Sequence, residues 1–387
     1  MSATQDATST TIQAEPVAPP IEHAEEEARQ EAHPFDWRRI ALQAALVWLA
    51  MRVVYAVSTY IAVLFLKQGF DPVQMGLGGP TYPGELFRTW YQWDVGWYLP
   101  ISNEGYAPDV RRAAFFPLYP LLINLGTSIG GDPTRYPVAM LIANLGALAA
   151  FVGVALVAAR EKGAAAASYA LLAFAAYPFA FFTAAAYPDG LFVGLAAFAL
   201  LFARQHVWYA AAACAFLAAL ARPTGIALAI PLIWEFASRH TTWNRDSRLP
   251  RLAVTWRDAA KGALVAGAVP LGVGLFALYL WSVFGDPLVF VKIQSYWAHA
   301  FVPPWDLPAL AWNSIGAQLE WSFNQSRVII DIAPAVLFLG LTVAAARRLP
   351  ASFTLYMACV LLVSLASPLV AYFNPFASVG RYLIAAF

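Results

Sequence analysis

Eleven apolar stretches dominate this chain, and the need to place them in lipid or inside protein constrains the fold more than any motif does. They fall near residues 40–66, 115–131, 136–159, 164–186, 188–203, 207–221, 225–238, 262–284, 328–346, 352–373 and from 379 onward. Crossing about 30 Å of hydrocarbon takes about 20 helical residues. The longer stretches therefore predict spanning helices, and the short pieces between 188 and 238 must be tilted or enclosed in protein. Within one such segment only a helix satisfies every backbone N–H and C=O. At 12% charged residues the chain is far below the roughly one quarter of soluble proteins, so the expectation is an all-α polytopic membrane protein.

The first 36 residues differ in kind, with eight acids, one arginine and no leucine. Too little apolar surface is present there to offset the entropy of ordering, which predicts a disordered acidic tail ahead of a membrane domain over 37–387. No apolar core follows a basic start, so the tail does not read as a signal peptide. A net charge of +1 without basic runs argues against nucleic acid as a partner. Cys214 and Cys359 both lie in apolar segments and read as small hydrophobes rather than a disulfide. The five histidines show no ligand spacing, so no metal site is assigned, with a divalent ion left open. Arginine outnumbers lysine 20 to 4, which fits the coding bias of a GC-rich bacterium and hence its plasma membrane.

Loop charges set the expected orientation. Arg38 and Arg39, Arg160 and Lys162, the basic loop from Arg239 to Lys261, and Arg347 and Arg348 can share the cytoplasmic side only if 115–131 fails to cross. That stretch, with Pro117 and Pro120 at its start, is then an embedded or amphipathic helix. The N-terminus is expected in the cytoplasm, and residues 67–135 form a long first extracytoplasmic loop containing short helices. On the same outer side fall "AAYPDG" (185–190), "ARPTG" (221–225), the loop 285–327 and "FNPFASVGR" (373–381).

The polar motifs gather on that side. "QWDVGWYLPISNEGY" (92–106) sets Asp94 among Trp93, Trp97, Tyr98 and Tyr106. An interfacial aromatic belt explains the rings, while a carboxylate walled by rings at the membrane surface suits a general base acting on a hydroxyl. Asp189 in "YPDG" reads as a turn acid at a helix N-terminus, or as a second carboxylate of the same site. Arg222 and Arg381 are cations at membrane depth; they fit a bidentate grip on a lipid phosphate, or pairing with Asp189, Asp94 or backbone carbonyls. Arg52, inside the first span, faces protein or snorkels, with no role assigned.

"QWDVGWYLPISNEGY", "AAFFPLYPLL", "AAYPDGLF", "ALARPTGIAL" and "SVGRYLIAAF" resemble, in order from about residue 40 to the last, the signature segments of the PIG-V-like mannosyltransferases. The resemblance implies a GT-C-type multi-span helical bundle of about nine to ten spans. It implies a polyprenyl-phosphate sugar donor, mannose as the usual sugar, and Asp94 as the base of an inverting transfer. Trp93, Tyr98, Tyr106, Phe116, Tyr119 and Tyr187, with Asp189, Arg222 and Arg381, would bind donor and acceptor. Asp189 stands where relatives more often carry glutamate, and relatives continue past Phe387, so the last span reads as cut short. Beyond membrane lipid and the donor, the acceptor is not specified. A non-catalytic partner subunit, or a lipid or sugar transporter, is the rival reading; the internal repeats common in transporters are not found.

Overall fold

The structure, a computed structural model, describes residues 36–65, 89–242, 251–252, 255–316, 323–370 and 374–387. The expected tail, the stretch 66–88 of the long loop, and Arg245 and Arg248 lie outside the described residues. Trp37–Phe387 forms one compact unit.

The unit is built almost wholly of helices. They are α1 (Trp37–Phe65), α2 (Val95–Glu104), α3 (Leu118–Gly130), α4 (Arg135–Lys162), α5 (Ala164–Ala176), α6 (Asp189–Arg204) and α7 (Trp208–Ala221). Then follow α8 (Ala229–His240), α9 (Trp256–Phe284), α10 (Val289–Lys292), α11 (Leu307–Gly316), α12 (Phe323–Ala345), α13 (Ala351–Leu365) and α14 (Val379–Tyr382). A two-residue antiparallel pair, β1 (Thr241–Thr242) with β2 (Arg251–Leu252), joins α8 to α9.

Four helices among the described residues are long and apolar enough to cross a membrane: the spans Trp37–Ala62, Asp132–Lys162, Trp256–Phe284 and Ser326–Ala345. Large apolar side chains on α1, such as Leu42, Leu46, Val53 and Ile61, stay exposed, as expected of a helix meant for lipid rather than water. Their ends follow local chemistry. Pro137 sits in the first turn of α4, where its missing N–H costs nothing. Gly163, at φ +83°, stops α4 behind Arg160 and Lys162, whose charges suit the helix C-terminus.

Two stretches differ from the sequence expectation. The run at 164–186 is helical only to Ala176, because Pro178 forces Tyr177 out of the helical region, to ψ 125°. Residues 177–188 instead form an irregular passage with one 3-10 turn, Ala180–Thr183. The run at 225–238 opens as a 3-10 helix, Pro223–Leu228, before α8 begins. The 13 residues of α3 fall short of the roughly 20 needed to span. That helix buries Tyr119, Ile123 and Thr127 and leaves an apolar face, Leu121, Leu125 and Ile129, exposed.

The core pair is α4 against α6, and it is a contact of backbones. A Cβ on Gly190 would lie 2.7 Å from the Ala147 nitrogen, and one on Gly146 would lie 2.5 Å from the Leu191 nitrogen. Small residues let apolar helices approach this closely. Gly190→Ala is therefore expected to cost about 1–3 kcal/mol, since only backbone movement relieves the overlap. Gly274→Ala in α9, where a Cβ meets nothing within 4 Å, is the matched control and should be neutral or mildly stabilising in thermal unfolding.

Candidate functional site

Opposite Ala147, near the middle of α4, the first residue of α6 carries a carboxylate into the protein. Asp189 is 0% exposed. Arg381 straddles it, with Nε 3.3 Å from Oδ1 and 3.4 Å from Oδ2, and Nη2 3.0 Å from Oδ2. Arg222, at the junction of α7 and the 3-10 helix, takes Oδ1 through Nη1. The remaining arm of Arg381, Nη1, reaches Oδ2 of Asp94. Two carboxylates and two guanidiniums thus form one chain of charge, Asp94–Arg381–Asp189–Arg222. The two-to-two balance is what makes its burial tolerable, because an unpaired ion in such a place costs several kcal/mol. The positive end of α6 also favours Asp189.

The segments that deliver the outer pair are conformationally strained. Trp93, directly before Asp94, has φ +46°, and Ser378, three residues before Arg381, has φ +70°. Left-handed backbone at a non-glycine residue costs of order 1–3 kcal/mol and persists where surrounding structure demands it. Asp94 occupies the N-cap of α2, yet its carboxylate makes no cap bond there. It turns to Arg381 instead. Its side chain keeps 28% exposure, against 0% for that of Asp189. Among the described residues Oδ1 of Asp94 carries no hydrogen bond.

Rings surround the arginines. The Arg381 guanidinium lies 4.4 Å from the Tyr187 ring centre and 4.8 Å from that of Phe182, and Arg222 lies 5.5 Å from the Tyr382 ring. Tyr187 donates its hydroxyl to the Gln92 carbonyl at 2.7 Å, tying the turn before Asp189 to the turn before Asp94. Tyr98, one turn along α2, is buried against Phe115 and Tyr119. Burial, reinforced by nearby Asp94, pushes its phenol well above the ordinary value.

Sequence-predicted residues therefore divide. Asp94, Asp189, Arg222, Arg381 and Tyr187 come together, with Tyr98 beside them, and the exposed Trp93 ring touches the cluster through Phe182 at 6.3 Å. Tyr106, Phe116 and Tyr119 belong instead to the aromatic core beneath. Tyr106 donates to the Phe115 carbonyl at 2.8 Å, Tyr119 to the Ala139 carbonyl at 2.9 Å, and Phe116 packs on Phe276. Phe182 and Tyr382 were not foreseen. Phe182 lies within an apolar run, and only the Tyr177-Pro178 break marks that passage as something other than helix.

A second polar knot fastens the outer segments. Arg111 grips Asp109 through Nε at 3.0 and 2.8 Å and Nη2 at 2.6 Å, donates to the Tyr296 hydroxyl at 2.8 Å, and covers the Trp97 ring at 5.2 Å. Hydrogen bonding from Arg111 holds the Asp109 carboxyl below the ordinary aspartate range. A depressed folded pKa means the contribution is whole above the unfolded value, about 3.9, and is lost as pH falls through the lower folded value. Lowering the pH from 5 through and below the ordinary aspartate range should therefore loosen the hold of Asp109 on Arg111 over Trp97. The fluorescence difference between wild type and Trp97→Phe reads this, and Asp109→Asn should show the released state at pH 5.

Compared with protein-family models, with curated proteins and with solved structures, the chain matches none of them.

Proposed function

We propose that this chain is a polytopic membrane glycosyltransferase of the GT-C type. It would move a sugar, mannose by the resemblance of its motifs, from a polyprenyl phosphate to an acceptor hydroxyl. The observation that carries the reading is Asp94: a strained turn delivers the acid of the charge chain that remains open, with Oδ2 held by Arg381 and Oδ1 without a hydrogen bond among the described residues. A fixed carboxylate with one unengaged oxygen is what a general base requires.

In the proposed step the acceptor oxygen attacks the anomeric carbon and its proton passes to Asp94 Oδ1. The bond from the anomeric carbon to the phosphate oxygen breaks with its electron pair, and polyprenyl phosphate leaves. Inversion follows from a single displacement. Asp189, wholly enclosed, is a positioning residue in this scheme: it anchors Arg381, which in turn orients Asp94. In this reading the N-terminus lies in the cytoplasm and Asp94 on the outer side of the membrane, an orientation that the loop charges favour.

The test is transfer of radiolabelled mannose from polyprenyl-phosphate mannose into membrane lipid or protein, by membranes containing the full chain. Incorporation above that of membranes lacking the chain is the expected result. Its absence across several polyprenyl-phosphate sugars and membrane acceptors would move the reading to a transporter or a non-catalytic subunit.

A further inference from the structure

Arg52 lies mid-way along α1, a helix long and apolar enough to cross a membrane, and its guanidinium turns inward. Its partners are all neutral. Nε donates to Asn144 Oδ1 at 2.6 Å and Nη2 to the Thr183 carbonyl at 2.9 Å, with the rings of Trp48 and Tyr55 at 5.3 and 6.0 Å. Among the described residues no carboxylate pairs with it. Two donors, Arg52 Nη1 and the Nε1 of Trp48, whose ring the guanidinium faces, are buried with no partner among the described residues. Buried donors left unmet are costly, the more so when charged.

The neighbouring charge chain sharpens the point. Arg222 and Arg381, which suited a lipid phosphate on sequence grounds, are both held by Asp189 and Asp94. Consecutive residues link the two places: the Phe182 ring packs on Arg381, while the Thr183 carbonyl accepts from Arg52. Taken together, three arginines face two aspartates, an excess of one positive charge, and it resides on Arg52.

We infer that Arg52, with the Trp48 N–H, is the site for the phosphate of the lipid-linked substrate, an inference that rests on the glycosyltransferase reading. The charges match. A polyprenyl-phosphate sugar is a phosphodiester with one negative charge, which cancels the excess. Cleavage turns it into a monoester of about −1.5 to −2 charge, so the attraction of Arg52 grows as the sugar departs. Guanidinium suits this task because its planar fork meets two phosphate oxygens at once. Access requires α1 to part from its neighbours, and α1 is suited to that: only 11% of its span is buried, and it packs on α4 and α5.

The experiment uses the purified full chain in nanodiscs of phosphatidylcholine, with thermal unfolding read with and without undecaprenyl phosphate. Wild type and Asp94→Asn should both be stabilised by the ligand, since binding needs no base. Arg52→Met should unfold at a higher temperature than wild type without ligand, having lost an uncompensated charge, and its apparent affinity should drop about ten- to a hundredfold. Arg52→Lys and Trp48→Phe guard against misfolding of Arg52→Met; each should weaken binding severalfold. Inorganic phosphate giving an Arg52-dependent shift at far higher concentration would support the headgroup contact. An equal ligand shift in Arg52→Met and wild type would overturn the inference alone. So would an equal Arg52-dependent shift from phosphatidylglycerol, which would make the site one for any anionic lipid. No shift in wild type would remove the donor class itself, and the inference with it.

Discussion

Asp94→Asn is expected to lower sugar transfer by about 10²–10⁴-fold, the range a general base contributes, while leaving the fold intact. The substitution preserves shape and keeps an oxygen for Arg381, which still donates to Asp189, and the charge it removes is the partly exposed one of the chain. What disappears is the lone carboxylate oxygen able to take the acceptor proton. Asp94→Glu retains the charge but displaces it by one methylene, so partial activity is expected. Radiolabel incorporation at matched expression, alongside gel filtration, reads both effects. Undiminished transfer by a well-folded Asp94→Asn would sink the assignment of the base.

Asp189→Asn is expected to be the most destabilising single change in the charge chain, costing about 3–5 kcal/mol. The carboxylate is 0% exposed and serves both arginines, so its neutralisation strands Arg222 and leaves Arg381 with Asp94 alone. Adding Arg222→Met should recover much of the loss, because the stranded cation is then gone. Cys214 and Cys359 are free thiols, so a thiol-reactive dye can follow unfolding. A loss in the double variant equal to the sum of the single losses would refute the coupling.

The helices that could be read from sequence are those whose length and apolar content leave few alternatives. The runs at 40–66, 136–159, 262–284 and 328–346 all recur as long helices. The polar motifs were legible too, because a charge within greasy surroundings stands out. Their partnerships were not. Asp94 and Arg381 lie 287 residues apart, and hydrophobic periodicity carries no record of which distant cation meets which acid. Phe116 and Tyr119 show the converse limit, since a ring looks the same in sequence whether it walls a pocket or fills a core. Arg52 was conspicuous as a charge, but its neutral setting depends on Asn144 and Thr183, residues with no local pattern to announce them.

The pairing of Asp94 with Arg381 also has a consequence in time. Synthesis at about 5–20 residues per second puts roughly 15–60 s between the two ends of that contact, separated by 287 residues. Through that interval the growing chain holds Asp94 with no counter-ion from Arg381, and Asp189 with Arg222 at most. The charge chain is therefore completed only once Arg381 has been made, and a nascent chain halted before it would expose its acids to whatever cation the membrane insertion machinery or the lipid surface supplies.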